Sequence, residues 1–283
     1  MLTGIWRYIR RNPSLGVGIV LLLILLLFCA IGPFFVDVTN ADPLSVETQK
    51  PPSWQYPFGT DSQGRDLLAV MVAGTPLTLR IGILAGFLGL SIGTILAFAS
   101  AYYGGVVDTV IKAVVDIALT VPGLLVLIIV AAFLHEGLSV NQMALIVAVL
   151  SWRWPARTIR AQVLTMRERA WVQIARLSGM SGPEIIIREL MPNLLPYLGA
   201  ALVGSVASAI LASIGLEALG LGPADSPTLG MTIYWVIYYA ALLHGYWWWW
   251  LAPITIIVIL FVGLMNLSVG LDEVANPRLR RTV

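Results

Sequence analysis

Six stretches of this sequence, at residues 15–36, 77–101, 111–134, 141–157, 194–216 and 247–270, are apolar over a length close to what a helix needs to cross a bilayer. About 20 apolar residues span the ~30 Å hydrocarbon core as an α-helix. Lipid offers no hydrogen bonds to a backbone, so a single apolar stretch of that length is helical. The sequence therefore predicts an all-α, polytopic membrane protein with about six transmembrane helices. The composition agrees, with 58% hydrophobic and 11% charged residues, against roughly 25% charged in soluble domains. The fourth stretch has the least defined boundary. Residues 229–243 are also apolar but short; they dip into the membrane, lie on its surface or lengthen the last span.

Charge fixes the expected orientation. Six spans put both ends on one side, and that side then carries Arg7, Arg10, Arg11, Lys112, the arginines from 153 to 188, Arg278, Arg280 and Arg281. These are 14 of the 17 basic residues. The positive-inside rule makes that face cytoplasmic. Arg7, Arg10 and Arg11 before an apolar run also resemble a secretory signal, but the run exceeds the ~7–15 residues of a signal core and more spans follow, so it is read as a retained first span. Cys29 stands alone within that run, which excludes a disulfide framework. His135 and His244 are far from any ligand-spaced carboxylates.

Between residues 151 and 193 the chain turns charged, with seven arginines and three glutamates between two apolar spans. Such charges are costly in hydrocarbon, so the interval reads as an organised loop in water. Few helix breakers interrupt Pro155 to Leu177, so the fourth span is expected to run on as a helix into the cytoplasm. Gly179 and Gly182-Pro183 impose a bend. A second helix over 183–191 then begins with Pro183 and Glu184 in its first turn, and stops or bends at Pro192. Trp171, Ile174, Ala175, Leu177 and Met180 are more apolar surface than a loop buries by itself. Two readings stand: a docking surface for a soluble partner, or a self-packed cap.

Other features are weighed on their residues. Asp108, Lys112 and Asp116 recur every four residues and share one helix face, where Lys112 can pair with both carboxylates; pairing with the neighbouring span and a proton relay are the alternatives. Pro122-Gly123 can kink the third apolar run and free carbonyls toward a cavity. Gly82, Gly86, Gly89 and Gly93 permit close helix contacts. Thr60 or Asp61 is expected to cap a short helix from about residue 62. Glu217 is expected at the outer membrane edge, satisfied by water or a partner. Trp247–Trp250 read as an interfacial anchor.

The external segment contains Phe58-Gly59-Thr60-Asp61-x-x-Gly64-Arg65-Asp66, followed beyond the second span by Tyr102-Tyr103-Gly104-Gly105-x-x-Asp108. Asp116, Pro122, Trp152 to Arg160, Gly220-Leu221-Gly222, Gly230 and Asn276-Pro277-Arg278-Leu279-Arg280 continue the pattern. Over nearly its whole length the chain resembles the permease subunits of binding-protein-dependent ABC importers, in particular the second permease of dipeptide and oligopeptide systems. The resemblance implies a cytoplasmic ATPase-coupling loop at Gln173, Ile174, Ala175, Gly179, Met180, Pro183 and Pro192; Asp108, Lys112, Asp116 and Pro122 are expected, from their spacing, in structural or conformational roles. Gln173 stands where the family has an acid and Ile174 where it has a small residue, so an ion pair at 173 is not implied. Leu229 and Asn276 depart from the usual tryptophan and aspartate.

The same resemblance implies a cytoplasmic N-terminal segment at 1–14, a first span with external segment at 15–76, a permease core at 77–270 and a cytoplasmic tail at 271–283. It implies residence in a prokaryotic inner membrane with both termini cytoplasmic. The implied partners are a second homologous permease, two cytoplasmic ATP-binding subunits and an extracellular or periplasmic solute-binding protein. No Gly-x-x-x-x-Gly-Lys-Ser/Thr phosphate loop is present, so ATP and Mg are expected on those ATPase subunits and no cofactor, metal or catalytic residue on this chain. Nickel and oligosaccharide importers use similar permeases and are the alternative substrates. An ion-coupled secondary transporter would need coupling-ion ligands near the membrane midplane, and the clearest charge constellation lies nearer the cytoplasmic edge.

Overall fold

The computed structural model describes residues 12–133 and 137–275; Arg7, Arg10, Arg11, His135 and the motif at 276–280 lie outside them. The regular secondary structure of the described residues is helical, with one isolated β-bridge between Thr60 and Asp66. In chain order they form α1 (Pro13–Phe35), α2 (Leu67–Tyr103), α3 (Gly105–Thr120), α4 (Gly123–Phe133), α5 (Val140–Ser151) and α6 (Arg153–Arg167). Next come α7 (Ala170–Leu177), α8 (Gly182–Ile185), a π-helical turn at Ile186–Leu190, α9 (Met191–Ala218), α10 (Leu229–Tyr238) and α11 (Trp247–Ala275).

Length and composition qualify four single helices to cross a membrane. A fifth span is possible if α3 and α4, bent by 84° at Val121-Pro122, count as one. The expected count of six is thus not reached on these criteria. The shortfall lies in the stretch at 141–157: its apolar part ends at Ser151, and the helix that follows brings Arg153 and Arg157 within its first five residues. Twelve residues rise only about 18 Å, well short of the hydrocarbon core.

Helix α2 is the spine. Its 37 residues reach about 55 Å, so it projects beyond the core of a bilayer. Asp66, rather than Thr60 or Asp61, caps it by accepting from the Leu68 amide at 3.0 Å. No short helix begins at residue 62, because Asp61 closes a turn there. Its carboxylate accepts from the amides of Gln63 (2.9 Å) and Arg65 (3.0 Å) and from Arg65 Nε at 2.6 Å.

Four of the five glycines of α2 seat the neighbouring helices described next. A Cβ on Gly82 would lie 2.2 Å from the Ile210 side chain, and one on Gly86 2.7 Å from the Val206 backbone, both on α9. On Gly89 it would lie 2.4 Å from Ser151 Cβ, and on Gly93 2.7 Å from Pro155 Cβ. Two glycines therefore admit α9 and the next two admit the junction of α5 and α6. Helix α11 lies along α1 in the same manner: a Cβ on Gly18 would lie 2.5 Å from the Leu267 amide nitrogen.

At the opposite end from the charged interval, the segment after α1 folds over the bundle. Trp248 Nε1 donates to the Thr60 carbonyl at 3.2 Å, and the Tyr246 hydroxyl to Gln49 Oε1 at 2.9 Å. The tryptophan run is thus only partly an anchor: Trp247 is exposed, whereas Trp249 is fully buried beside Leu67, Val236 and Tyr239. Glu217 is also fully buried, against expectation. Neither water nor a partner is needed, since it accepts from Ser213 Oγ at 2.7 Å, from the Met231 amide at 3.1 Å and from the Thr228 hydroxyl. Those bonds fold α10 back against α9.

Candidate coupling surface

The charged interval forms a scaffold, not a floppy loop. The expected continuous helix from Pro155 to Leu177 is broken after Arg167, where Arg169 takes an extended conformation (φ −72°, ψ 148°) and α7 starts afresh. On α7, Val172 and Ala175 are buried in a cluster with Phe98 and Ala101 of α2, Ile159 and Val163 of α6, and Ile185, Leu190 and Leu194 beyond the bend. The other face is left open: Ile174 is 64% and Leu177 88% exposed, with Trp171 also exposed and Gln173 half-buried. Apolar side chains in that state are unusual on a surface that faces water alone.

Gly179 ends α7. Its φ of +84° belongs to the left-handed region that glycine enters without a Cβ penalty. The Met180 amide bonds back to the Ala175 carbonyl (3.2 Å) and the Gly179 amide to Arg176 (3.1 Å), a Schellman closure. Nothing lies within 4 Å of a Cβ built at Gly179, so the constraint is conformational and not steric. Pro183 opens α8, where its missing amide hydrogen is one that needs no helical partner. The bend is held on α2: a Cβ at Gly182 would lie 2.9 Å from the Tyr102 ring, and Arg176 lies 5.8 Å from that ring's centre.

The second helix neither stops nor breaks at Pro192. It widens into the π-helical turn Ile186–Leu190 and runs on as α9 with Pro192 in its first turn. Proline cannot donate to the carbonyl one turn back, and a π-turn is one way to absorb such a mismatch. Asn193 Nδ2 bonds the Glu189 carbonyl at 2.7 Å. Glu184 pairs with Arg188 at 2.8 Å.

The arginines of α6 tie this platform to the membrane helices. Arg153 Nη1 donates to the Ala118 carbonyl at 2.7 Å, across the α3–α4 break, and Arg153 Nε to Leu150 at 2.9 Å. The carbonyl freed by Pro122 therefore faces a guanidinium. Arg157 lies 3.9 Å from Asp116. Arg160 holds Asp108 through Nε and Nη2, both at 2.6 Å, and that carboxylate also takes the Ser100 hydroxyl. Hydrogen bonding to Asp108 pushes the Arg160 guanidinium above its ordinary value. Arg167 Nη1 reaches the Ala101 carbonyl.

Asp108 and Asp116 thus pair across to α6, the second of the geometries open from sequence, and not with Lys112 between them. The available signal was the spacing of Arg153, Arg157, Arg160 and Arg167, which places them on one face of a helix. Gln173, Ile174, Ala175, Gly179, Met180 and Pro183 are brought together at the bend, with Pro192 two turns further along the same helical run. Behind them a cavity of about 490 Å³ between α4, α5, α6, α9 and α11 is lined in part by Arg153, Gly204, Ser205 and Ser208. Among the described residues no cluster of three His, Cys, Asp or Glu side chains could hold a metal.

Comparison with known proteins agrees with this geometry. Residues 89–281 match the family described as binding-protein-dependent transport system inner membrane component, and residues 1–52 the N-terminal TM domain of oligopeptide transport permease C. The dipeptide transport system permease protein DppC of Bacillus subtilis is 29% identical, over 98% of this chain and 85% of the relative. The oligopeptide transport system permease protein OppC of the same organism is 28% identical, over 96% and 88%. Among solved structures, a chain from inward-facing conformations of the MetNI methionine ABC transporter superposes with a TM-score of 0.57 at 19% identity, covering 74% of this chain and 96% of that one. With a family model matching about two thirds of its residues, the chain belongs to the inner membrane components of binding-protein-dependent transport systems.

Proposed function

We propose that this chain is the permease subunit of an ATP-driven peptide importer. It forms half of the translocation path with a second permease, receives solute from a binding protein outside, and is driven through α7 by two cytoplasmic ATPase subunits. The observation that carries the reading is the two-faced α7: Val172 and Ala175 are buried on the scaffold while Ile174 and Leu177 stand exposed beside a Gly179-closed bend. A push on that face reaches α2, α6 and α9 through one packed cluster, the arrangement that rigid-body switching requires. Peptide as the solute rests on the names of the relatives.

The positive-inside rule puts α7 and both termini in the cytoplasm. A sixth crossing is supported by the junction of α5 and α6, where Trp152 keeps a helical conformation (φ −77°, ψ −20°), so that 140–167 makes one rod of about 42 Å. Arg153 of that rod is engaged with α3 at its break.

The reading is tested in a peptide-auxotrophic strain stripped of its own peptide importers and given this chain with its partner subunits. Growth on, and uptake of, a labelled dipeptide should depend on this chain and on ATP. Restored nickel or oligosaccharide uptake without dipeptide uptake would overturn the peptide assignment. ATP turnover by the isolated chain would overturn the division of labour.

A further inference from the structure

The groove between α3 and α6 contains charge that the coupling surface does not use. A cavity of about 210 Å³ there is lined by Lys112 and Asp116 from α3, by Arg157 and Arg160 from α6, and by small or apolar side chains between them. Arg160 is committed to Asp108. Lys112 makes no ion pair among the described residues, and the Arg157–Asp116 pair is loose, 3.9 Å apart with side chains 60% and 45% exposed. A pair of that kind is worth little, so an incoming ligand displaces it at small cost. What remains is two cations and one carboxylate around an open space.

We propose that this groove binds the headgroup of an ethanolamine phospholipid, with the phosphate between Lys112 and Arg157 and the ammonium against Asp116. The level of the site fits. Helices α3 and α6 run in opposite directions, so the next residues toward the membrane interior are Ile117 on one and Trp154 on the other, 66% and 65% exposed. Exposed apolar side chains on the membrane side of the charged groups give acyl chains a surface to lie along. The groove, at about 210 Å³, also has room for a small polar headgroup. Asp116 favours the zwitterion, since a phosphate that draws Arg157 away from it frees the carboxylate to take an ammonium. The inference needs only membrane insertion and is independent of the solute carried.

The test is native mass spectrometry of the chain purified with its partner subunits from membranes containing phosphatidylethanolamine and phosphatidylglycerol. The wild type should retain phosphatidylethanolamine. Lys112→Gln with Arg157→Gln should cut retention about tenfold, the loss of roughly one strong charged contact. Asp116→Asn should keep a lipid bound but turn preference toward phosphatidylglycerol. Unchanged retention in the double variant, or an unchanged lipid ratio in Asp116→Asn, would overturn the proposal. A measurement without variants stands beside these. In nanodiscs of phosphatidylcholine doped with phosphatidylethanolamine, the wild type should enrich the primary amine about tenfold over its trimethylated counterpart; equal occupancy would overturn the proposal. So would efficient cross-linking of cysteines at 112 and 157 to the second permease, which would give the groove a protein occupant. Occupancy is read without transport, so an empty groove in a working peptide importer refutes only the lipid site.

Discussion

Arg160 and Asp108, fifty-two residues apart, close on each other through two hydrogen bonds of 2.6 Å and join α6 to the start of α3. Their side chains are each 23% exposed, sheltered enough for charge-assisted bonds to count. Removing the carboxylate strands the guanidinium, and the Ser100 hydroxyl loses its acceptor with it. Asp108→Asn is expected to cost about 2 kcal/mol, the range of a hydrogen bond to a charged group, read as a lower unfolding midpoint of the detergent-solubilised protein. Arg160→Lys should lose nearly as much, since an ammonium cannot reproduce the fork. Additive losses in the double variant would show that the two do not act as a pair.

Gly179 is expected to separate coupling from insertion. Its left-handed backbone costs an ordinary residue about 1–2 kcal/mol, and a β-branched one more. The open space around it means a side chain meets no clash. Gly179→Val should therefore leave membrane insertion and expression near wild type while distorting the end of α7. The readout is ATP hydrolysed per solute imported, expected to rise severalfold. A normal ratio would remove α7 as the coupling element.

The glycines of α2 offer a contrast within one protein. At Gly86 and Gly89 a methyl group would press on the Val206 backbone and on Ser151, so alanine there should cost about 1–3 kcal/mol as overpacking. Gly199 in α9 has nothing within 4 Å of a built Cβ, and alanine there should be neutral or stabilise by up to about 1 kcal/mol through helix propensity. Accumulation in membranes and thermal midpoints would separate the two classes. Equal tolerance at Gly86 and Gly199 would contradict the close approach of α2 and α9.

Those contrasts show what the sequence carries. Local patterns were legible: apolar runs marked the long helices, Gly179 and Pro183 marked the bend, and the three-to-four spacing of glycines marked a contact face. Partnership across distance was not. Asp108 has Lys112 four residues away and Arg160 fifty-two away, and spacing on a helix favours the first. Only the packing of α6 on α2 and α3 brings the second within 2.6 Å. The partners of Glu217 were missed for the same reason, because Thr228 and the Met231 amide reach it only after α10 folds back. Pro192 is ambiguous in another way: proline announces a missing donor, but not whether the helix ends there or runs on after a π-turn.

Arg153 provides the sharpest test of the break between α3 and α4. Val121 and Pro122 interrupt the helix, and the guanidinium meets the exposed Ala118 carbonyl at 2.7 Å while its Nε holds Leu150. A carbonyl left bare in an apolar setting costs about 1–3 kcal/mol. Arg153→Met keeps the length and loses every donor, so it should destabilise by that amount and open the break. Arg153→Lys should fall between, with one carbonyl reached and the other lost. Gly123→Ala should act through the same contact, since its Cβ would lie 2.6 Å from Arg153 Nη2 and push the guanidinium aside. The two substitutions are therefore expected to be non-additive, with Gly123→Ala costing little once Arg153 is Met. A cysteine placed at Val121 would report opening as faster labelling by a water-soluble thiol reagent. Fully additive costs with unchanged labelling would mean that the break holds its 84° bend without the arginine.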